Sequence, residues 1–167
     1  MGSGLEIIGF SPDAMKGTSF DGTAVAKLFG IKVEKATGNL PQSTTSILFS
    51  IAGGRVLVPL ILGEVTTLIQ TQANNTKLQH DPTDTGATQD LCAVLDITAD
   101  AVGTIYSISG TPSDALRDTL NFGRGGLVSA PLILKPGDIL LNCAASNTGQ
   151  AKWTVWYVPL DSGATVT

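Results

Sequence analysis

The sequence has few charged and few aromatic residues, and it has no surplus of basic ones. Charged residues make up 14% of the chain, against about 25% in ordinary soluble domains, while 43% of the residues are hydrophobic. This balance excludes a disordered acidic chain and a charge-rich coiled coil. With 10 Lys and Arg against 14 Asp and Glu, the chain lacks the positive charge that binding to phosphates requires, so we expect no nucleic-acid partner.

Long apolar runs and a signal peptide are also missing. The longest apolar run, Val56 to Leu62, has the length of a strand and contains a proline, whereas a membrane helix needs about 18 apolar residues. We therefore expect no membrane partner. The N-terminus has neither a basic leader nor an apolar stretch, which indicates a protein made and kept in a reducing cytoplasm. Cys92 and Cys143 each lie in an apolar run and are expected to be buried free thiols.

Residues that commonly carry catalysis are scarce. His80 is the single histidine, and the chain contains no HExxH, no GxSxG, no phosphate-binding loop and no dinucleotide fingerprint. We interpret His80 as a solvated side chain at a strand end. Six aspartates lie between Lys77 and Arg117, but their spacing does not match a calcium loop, and aspartates also cap turns. The sequence therefore predicts no enzyme, no cofactor and no metal site, with a cation at residues 81–100 as the open alternative.

The chain from Thr44 onward consists of short β-rich runs separated by turn residues such as Gly53-Gly54 and Pro136-Gly137. This spacing predicts an all-β fold, an antiparallel jelly-roll-like β-sandwich of about 8–9 strands. One short helix is expected from Pro112 to Leu120, because Ser113 can cap it and two leucines lie four residues apart. The predicted strands are 44–51, 55–62, 64–72, 76–80, 90–97, 104–108, 127–134, 138–145 and 151–158.

Residues 1–42 have a different texture, with many glycines and scattered apolar side chains. We predict that they form an N-terminal arm and that residues 43–167 form the sandwich. Asp21 could cap a short helix over residues 22–29, although two turns are not stable alone. The apolar side chains of the arm are too sparse for a core and are predicted to bind a partner. They are Phe20, Val25, Leu28, Phe29 and Ile31.

Several predicted strands are apolar on both faces, although a small sandwich has only one interior. In the strand at 55–62, Leu57 and Ile61 lie opposite the core set, and in the last strand Trp156 does so. We predict that these three side chains form a subunit interface, which makes the protein a homo-oligomer. The alternative is that the arm and the short helix alone cover the second face.

Two stretches carry a resemblance to a known class of proteins. The run from Leu134 to Ala164, LKPGDILLNCAASNTGQAKWTVWYVPLDSGA, resembles the closing hairpin of small β-sandwich virion proteins of tailed bacteriophages. The run from Leu48 to Leu78 looks like the same class, and with residues 90–109 the resemblance covers about residues 44–163. Residues 1–42 match nothing that we can name. The resemblance implies a trimeric or otherwise oligomeric jelly-roll-like sandwich on a virion.

The resemblance leads to three functional hypotheses. The first is a capsid decoration (cement) protein, a homotrimer that binds the major capsid protein or another virion protein and stabilises the outer surface of a phage head. The second is a tail, fibre or baseplate component whose sandwich binds host-surface carbohydrate, and the low aromatic content of 5% disfavours it. The third, a sandwich hydrolase or sugar-binding enzyme module, lacks paired carboxylates at a suitable spacing. In the first two cases the protein is assembled in the host cytoplasm and located in the virion.

Overall fold

The computed structural model describes residues 30–84, 86–118 and 129–167, which form an all-β sandwich of two antiparallel sheets. These residues contain eleven strands and no helix. The fold class predicted from the sequence is confirmed. The strands are β1 (Ile31–Asn39), β2 (Thr45–Ala52), β3 (Val56–Thr67), β4 (Asn75–Pro82), β5 (Gln89–Asp90), β6 (Leu95–Asp96), β7 (Ile105–Ser107), β8 (Leu132–Leu134), β9 (Gly137–Cys143), β10 (Gln150–Pro159) and β11 (Thr165–Val166).

The first sheet, sheet A, has the order β1-β10-β3-β7, and β8 also pairs with β3. The second, sheet B, has the order β11-β2-β9-β4-β5, and β6 also pairs with β4. Strands that are adjacent in a sheet are therefore often distant in sequence, as β1 and β10 are. This arrangement places the last long strand of the chain, β10, in the middle of sheet A.

The sandwich interior is filled by alternate residues of the long strands. In β10, Trp153, Val155 and Tyr157 are buried while the residues between them are half-buried, as the alternation in the sequence predicts. The Trp153 ring stacks on Tyr106 with a centroid distance of 6.2 Å. Burial of such rings contributes strongly to the stability of a small core.

Strand β3 runs unbroken through Gly63, where the sequence predicts two strands separated by a turn. Gly63 is the partner of Trp153 in the adjacent strand. A Cβ at Gly63 would lie 2.8 Å from Cη2 of the Trp153 ring, so the missing side chain makes room for the indole. The glycine is therefore needed for packing inside a strand and does not mark its end.

The predicted helix at Pro112 to Leu120 is wrong for residues 112–118, which the structure describes, and residues 119–120 lie outside the described part. Instead, the chain forms isolated bridges to two other segments. The backbone N–H of Leu116 donates to the carbonyl of Ala93 at 2.9 Å, and that of Arg117 donates to Ser107 at 2.8 Å. Leu116 is 1% exposed, so its extended backbone and its burial in the core replace the expected helix.

The boundary predicted between arm and sandwich also has to be corrected. Residues 31–39, which the sequence predicts to belong to the arm, form β1 and pair with β10 from Ile31 opposite Tyr157 to Asn39 opposite Gln150. Ile31 packs against the core and is therefore part of the sandwich. The remaining predicted partner-binding residues, Phe20, Val25, Leu28 and Phe29, lie outside the described residues, as does the predicted helix over residues 22–29.

Three side chains that the sequence singled out for their chemistry lie in the interior. His80 is 7% exposed and its Nε2 lies 3.1 Å from the carbonyl oxygen of Lys135, so the prediction of a solvated imidazole is wrong. Cys92 and Cys143 are buried free thiols, as predicted. Burial raises the pKa of both thiols, which lowers the fraction of reactive thiolate.

Asp100 carries a buried carboxyl group, and the residue is 5% exposed. The Tyr106 hydroxyl donates a hydrogen bond of 2.6 Å to its Oδ2. Burial raises the pKa of Asp100, and the hydrogen bond from Tyr106 only partly opposes this effect. The hydrogen bond from Tyr106 thus offsets part of the desolvation cost that burial imposes on the charged form of Asp100.

We expect the variant Asp100→Asn to gain stability relative to the wild type as the pH rises. The folded pKa of Asp100 lies above the unfolded value of about 3.9, so this carboxyl group favours folding below that value and loses the contribution as the pH rises through the folded pKa. Asparagine does not titrate and keeps an acceptor for Tyr106. Urea unfolding at about pH 3 and pH 7 measures the free energy of unfolding of both proteins. A variant that is less stable relative to the wild type at pH 7 than at pH 3 would contradict the prediction.

Candidate interaction surface

A β-bulge at Pro59 determines which side chains of β3 point away from the core. Leu57 pairs with Val158 and Leu60 pairs with Trp156, so β3 carries one more residue than β10 between these two pairs. Proline has no N–H to donate to a neighbouring strand and is commonly found at bulges. Beyond Pro59 the alternation of inward and outward residues is therefore shifted by one.

The bulge separates the three side chains predicted to form a subunit interface. Leu57 and Trp156 lie on the side of sheet A that faces away from sheet B, and both are half-buried. Ile61 is 1% exposed and belongs to the core, so the prediction that it lies on the second face is wrong. A proline inside an apolar run was the one signal in the sequence for this shift.

The strand register assembles an apolar outer face on sheet A. One row across the sheet consists of Ile133, Leu57 and Val158, which are direct neighbours on β8, β3 and β10. In the next rows, Leu60 lies beside Trp156 and Leu62 lies beside Thr154. We call Leu57, Leu60, Leu62, Ile133, Trp156 and Val158 the apolar outer face.

The exposure of this face is uneven. Ile133 is 64% exposed, which is the highest value among the exposed large hydrophobic side chains of the described residues. The other members are half-buried. A row of adjacent large apolar side chains on one sheet differs from apolar residues scattered singly over a surface, and it is typical of a binding surface.

Charged side chains border the apolar outer face along β1 and β10. Lys32 and Lys152 contact Oε1 of Glu34 at 3.0 Å and 2.9 Å. Hydrogen bonds from Lys152 and Lys32 hold the pKa of Glu34 below its usual range. The Lys32 ammonium also lies 5.9 Å from the centroid of the Trp156 ring, which places a cation over its face.

A shallow depression lies where the apolar and charged parts of this face meet. Its volume is about 210 Å³. Leu62 and Trp156 line its apolar side, and Glu34, Glu64 and Lys152 line its charged side. Such a surface has an apolar centre with a polar rim, the composition typical of protein–protein contacts.

The aspartates of the region between Lys77 and Arg117 each have their own partner. Asp90 contacts Lys77 at 2.8 Å and Asp84 contacts Lys135 at 2.7 Å. Asp96 accepts hydrogen bonds from the backbone N–H groups of Asn74 and Thr98, as expected of an aspartate that caps a turn. Residues 30–84, 86–118 and 129–167 contain no group of three or more His, Cys, Asp or Glu side chains placed to hold a metal ion.

Comparison of the chain with known protein families, with curated proteins and with solved structures gives no match. In the described residues there is no helix long and apolar enough to cross a membrane. Fold and surface together define an all-β sandwich with one sheet whose outward side is apolar at one end and charged at the other.

Proposed function

We propose that the protein is a structural virion protein of a tailed bacteriophage, a decoration protein that binds the outer surface of the head as a homotrimer. The observation that supports this proposal most directly is the apolar outer face of sheet A. A small monomeric sandwich has no need of adjacent large apolar side chains on the solvent side of a sheet. The resemblance of residues 44–163 to small phage virion proteins supplies the class, the location and the number of copies.

Covering this face would stabilise an assembly through the hydrophobic effect. Complete burial of a Leu, Ile or Val side chain contributes about 1.5–3 kcal/mol, and a side chain that is already half-buried contributes less. Leu57 and Trp156 are thus proposed interface residues, together with Ile133. A protein that binds the assembled capsid lattice and not its free subunits shifts the equilibrium towards the lattice by mass action.

The N-terminal segment is the second proposed contact. Residues 1–29 precede β1 and contain Phe20, Val25, Leu28 and Phe29, which are proposed to bind the major capsid protein or another virion protein. These apolar side chains are few, so we propose that a partner surface buries them. Ile31 is excluded from this contact because it packs against the core in β1.

One observation favours the alternative of a tail, fibre or baseplate component. A pocket of about 400 Å³ lies at one end of the sandwich and is lined by uncharged polar side chains. Carboxamides and hydroxyls of this kind can bind the hydroxyl groups of a carbohydrate. Its lining residues include Asn39, Gln42, Thr67, Asn147, Thr148 and Gln150.

A matched pair of variants tests the role of the apolar outer face. Ile133 is 64% exposed on this face, and Leu68 is 57% exposed outside the strands of sheet A. We expect Ile133→Asp to lower both the oligomer mass in light scattering and the amount of protein retained on phage particles, whereas Leu68→Asp changes neither. Because both side chains are already exposed, neither variant should unfold the chain.

Two results would argue against the proposal. If both aspartate variants keep the mass and the particle binding of the wild type, the apolar outer face has no role in assembly. If the chain is retained on isolated tails and not on heads, the tail alternative replaces the decoration function.

A further inference from the structure

We propose that the free edge of β1 binds the same edge of a second copy, joining two sheets A into one antiparallel sheet. This contact goes beyond the proposed function, because it lies at the edge of sheet A and not on its apolar outer face. Its occupant is a second copy of this chain, related by a twofold axis that passes beside Val33.

The first observation is that β1 is a long edge strand with no strand of the described residues paired to its outward side. Among the described strands, β1 pairs with β10 alone, and it has 9 residues. The other described strands at sheet edges are much shorter, with 3 residues in β7 and β8 and 2 residues in β5, β6 and β11. An exposed edge strand presents unpaired N–H and C=O groups that pair readily with another strand.

The second observation is a bulge that limits the regular part of β1. Its register with β10 is continuous from Ile31 to Lys35 and shifts between Lys35 and Gly38. A bulge bends a strand and ends regular pairing on its free edge. Five residues thus remain for a partner strand, and Val33 is the middle one.

The third observation is that these five residues are self-complementary in charge. When two antiparallel β1 strands are paired with Val33 opposite Val33 of the second copy, Lys32 lies opposite Glu34 of that copy, and the reverse pair forms as well. Directly opposite charges on one face of a sheet attract, and like charges repel. A twofold axis beside Lys32 or Glu34 would place like charges opposite each other. The charges therefore favour an axis beside Val33, which is also the middle of the segment that the bulge limits.

The side chains involved are placed for this contact. Lys32 and Glu34 are exposed, whereas Val33 packs against the core. Both lysine contacts within the chain are to Oε1 of Glu34, which leaves Oε2 for a lysine of the second copy. The twofold axis is perpendicular to the sheet, so the two apolar outer faces would lie on the same side of the joined sheet.

Charge reversal provides the test. We expect the wild type to contain an even number of chains by light scattering, two if this is the only contact and six if it combines with a threefold contact on the apolar outer face. Lys32→Glu alone and Glu34→Lys alone place like charges opposite each other and should each weaken the contact about tenfold or more, so that the mass is halved. The double variant Lys32→Glu/Glu34→Lys should restore the mass of the wild type.

Mixing the two single variants gives the sharpest result. In a 1:1 mixture, each Lys32→Glu chain faces a Glu34→Lys chain with opposite charges at both positions, so the full mass should return only after mixing. Lys152→Glu is the control, because it removes the other ion pair of Glu34 without changing the edge of β1.

The inference is overturned if the wild type is a monomer, if either single variant keeps the mass of the wild type, or if the mixture does not associate. A trimer that is insensitive to both single variants would overturn the edge contact and leave the proposed use of the apolar outer face intact. Conversely, if Ile133→Asp lowers the mass and the charge-reversal variants still change it as expected, the edge contact is supported independently of the contact on the apolar outer face.

Discussion

Replacing Trp153 with alanine is expected to lower the free energy of unfolding by about 3–5 kcal/mol, the usual loss when a large aromatic side chain is removed from a core. Trp153 is 3% exposed, lies over Gly63 and stacks on Tyr106. Its Nε1 has no hydrogen-bond partner in the described part of the chain, so the loss is one of packing and not of a hydrogen bond. Neither Gly63 nor Tyr106 can fill the resulting cavity without a shift of β3 or β7.

Trp156→Ala is the matched control for this experiment. Trp156 lies on the same strand but is half-buried on the apolar outer face, so its removal leaves no cavity in the core. We expect Trp156→Ala to lower the free energy of unfolding by less than about 2 kcal/mol when the dissociated chain is unfolded in urea. Equal losses for the two tryptophans would contradict the assignment of inner and outer faces in β10.

Replacing Gly137 with alanine is expected to destabilise the protein because β9 and β4 approach each other closely there. Gly137 has a φ of 153° and lies opposite Pro82. A Cβ at this position would overlap the carbonyl oxygen of Asp81 and come within 2.6 Å of Cα of Pro82. Both obstacles are backbone atoms, so the strands themselves would have to separate.

Gly103→Ala is the control for the backbone conformation alone. Gly103 has a φ of 89°, and a Cβ there would meet nothing within 4 Å among the described residues. Gly103→Ala should lower the free energy of unfolding by about 1–2 kcal/mol, the cost of holding an alanine in the left-handed conformation. In urea unfolding, Gly137→Ala should lower the free energy of unfolding by about 1–3 kcal/mol more than this control does. A smaller loss at Gly137 than at Gly103 would show that β9 and β4 are not in close contact.

Local patterns were sufficient to predict the fold class and much of β10. The alternation of Trp153, Val155 and Tyr157 depends only on the two-residue period of a strand, and the structure confirms it. The same reasoning failed at Ile61 because one extra residue at Pro59 reverses the alternation. It failed at residues 112–118 because Leu116 is held by backbone hydrogen bonds to segments distant in sequence.

The candidate surface was only partly predictable for the same reason. Leu57 and Trp156 could be identified from their own strands, whereas Ile133 joins them only through the pairing of β8 with β3. The five-residue alternation from Ile31 to Lys35 is short and follows a glycine-rich segment, so its place in sheet A depended on the pairing with β10. Register across strands is a property of the whole sheet and is not encoded in any one run.

Cryo-electron microscopy of phage particles purified from cells that produce this chain tests the proposed function most directly. We expect the sandwich on the outer surface of the head, in copies arranged about local threefold axes, with the side of sheet A that carries Leu57, Ile133 and Trp156 buried against a neighbouring copy or against the capsid. A sandwich located in the tail, or one on the head whose apolar outer face is open to solvent, would contradict the account.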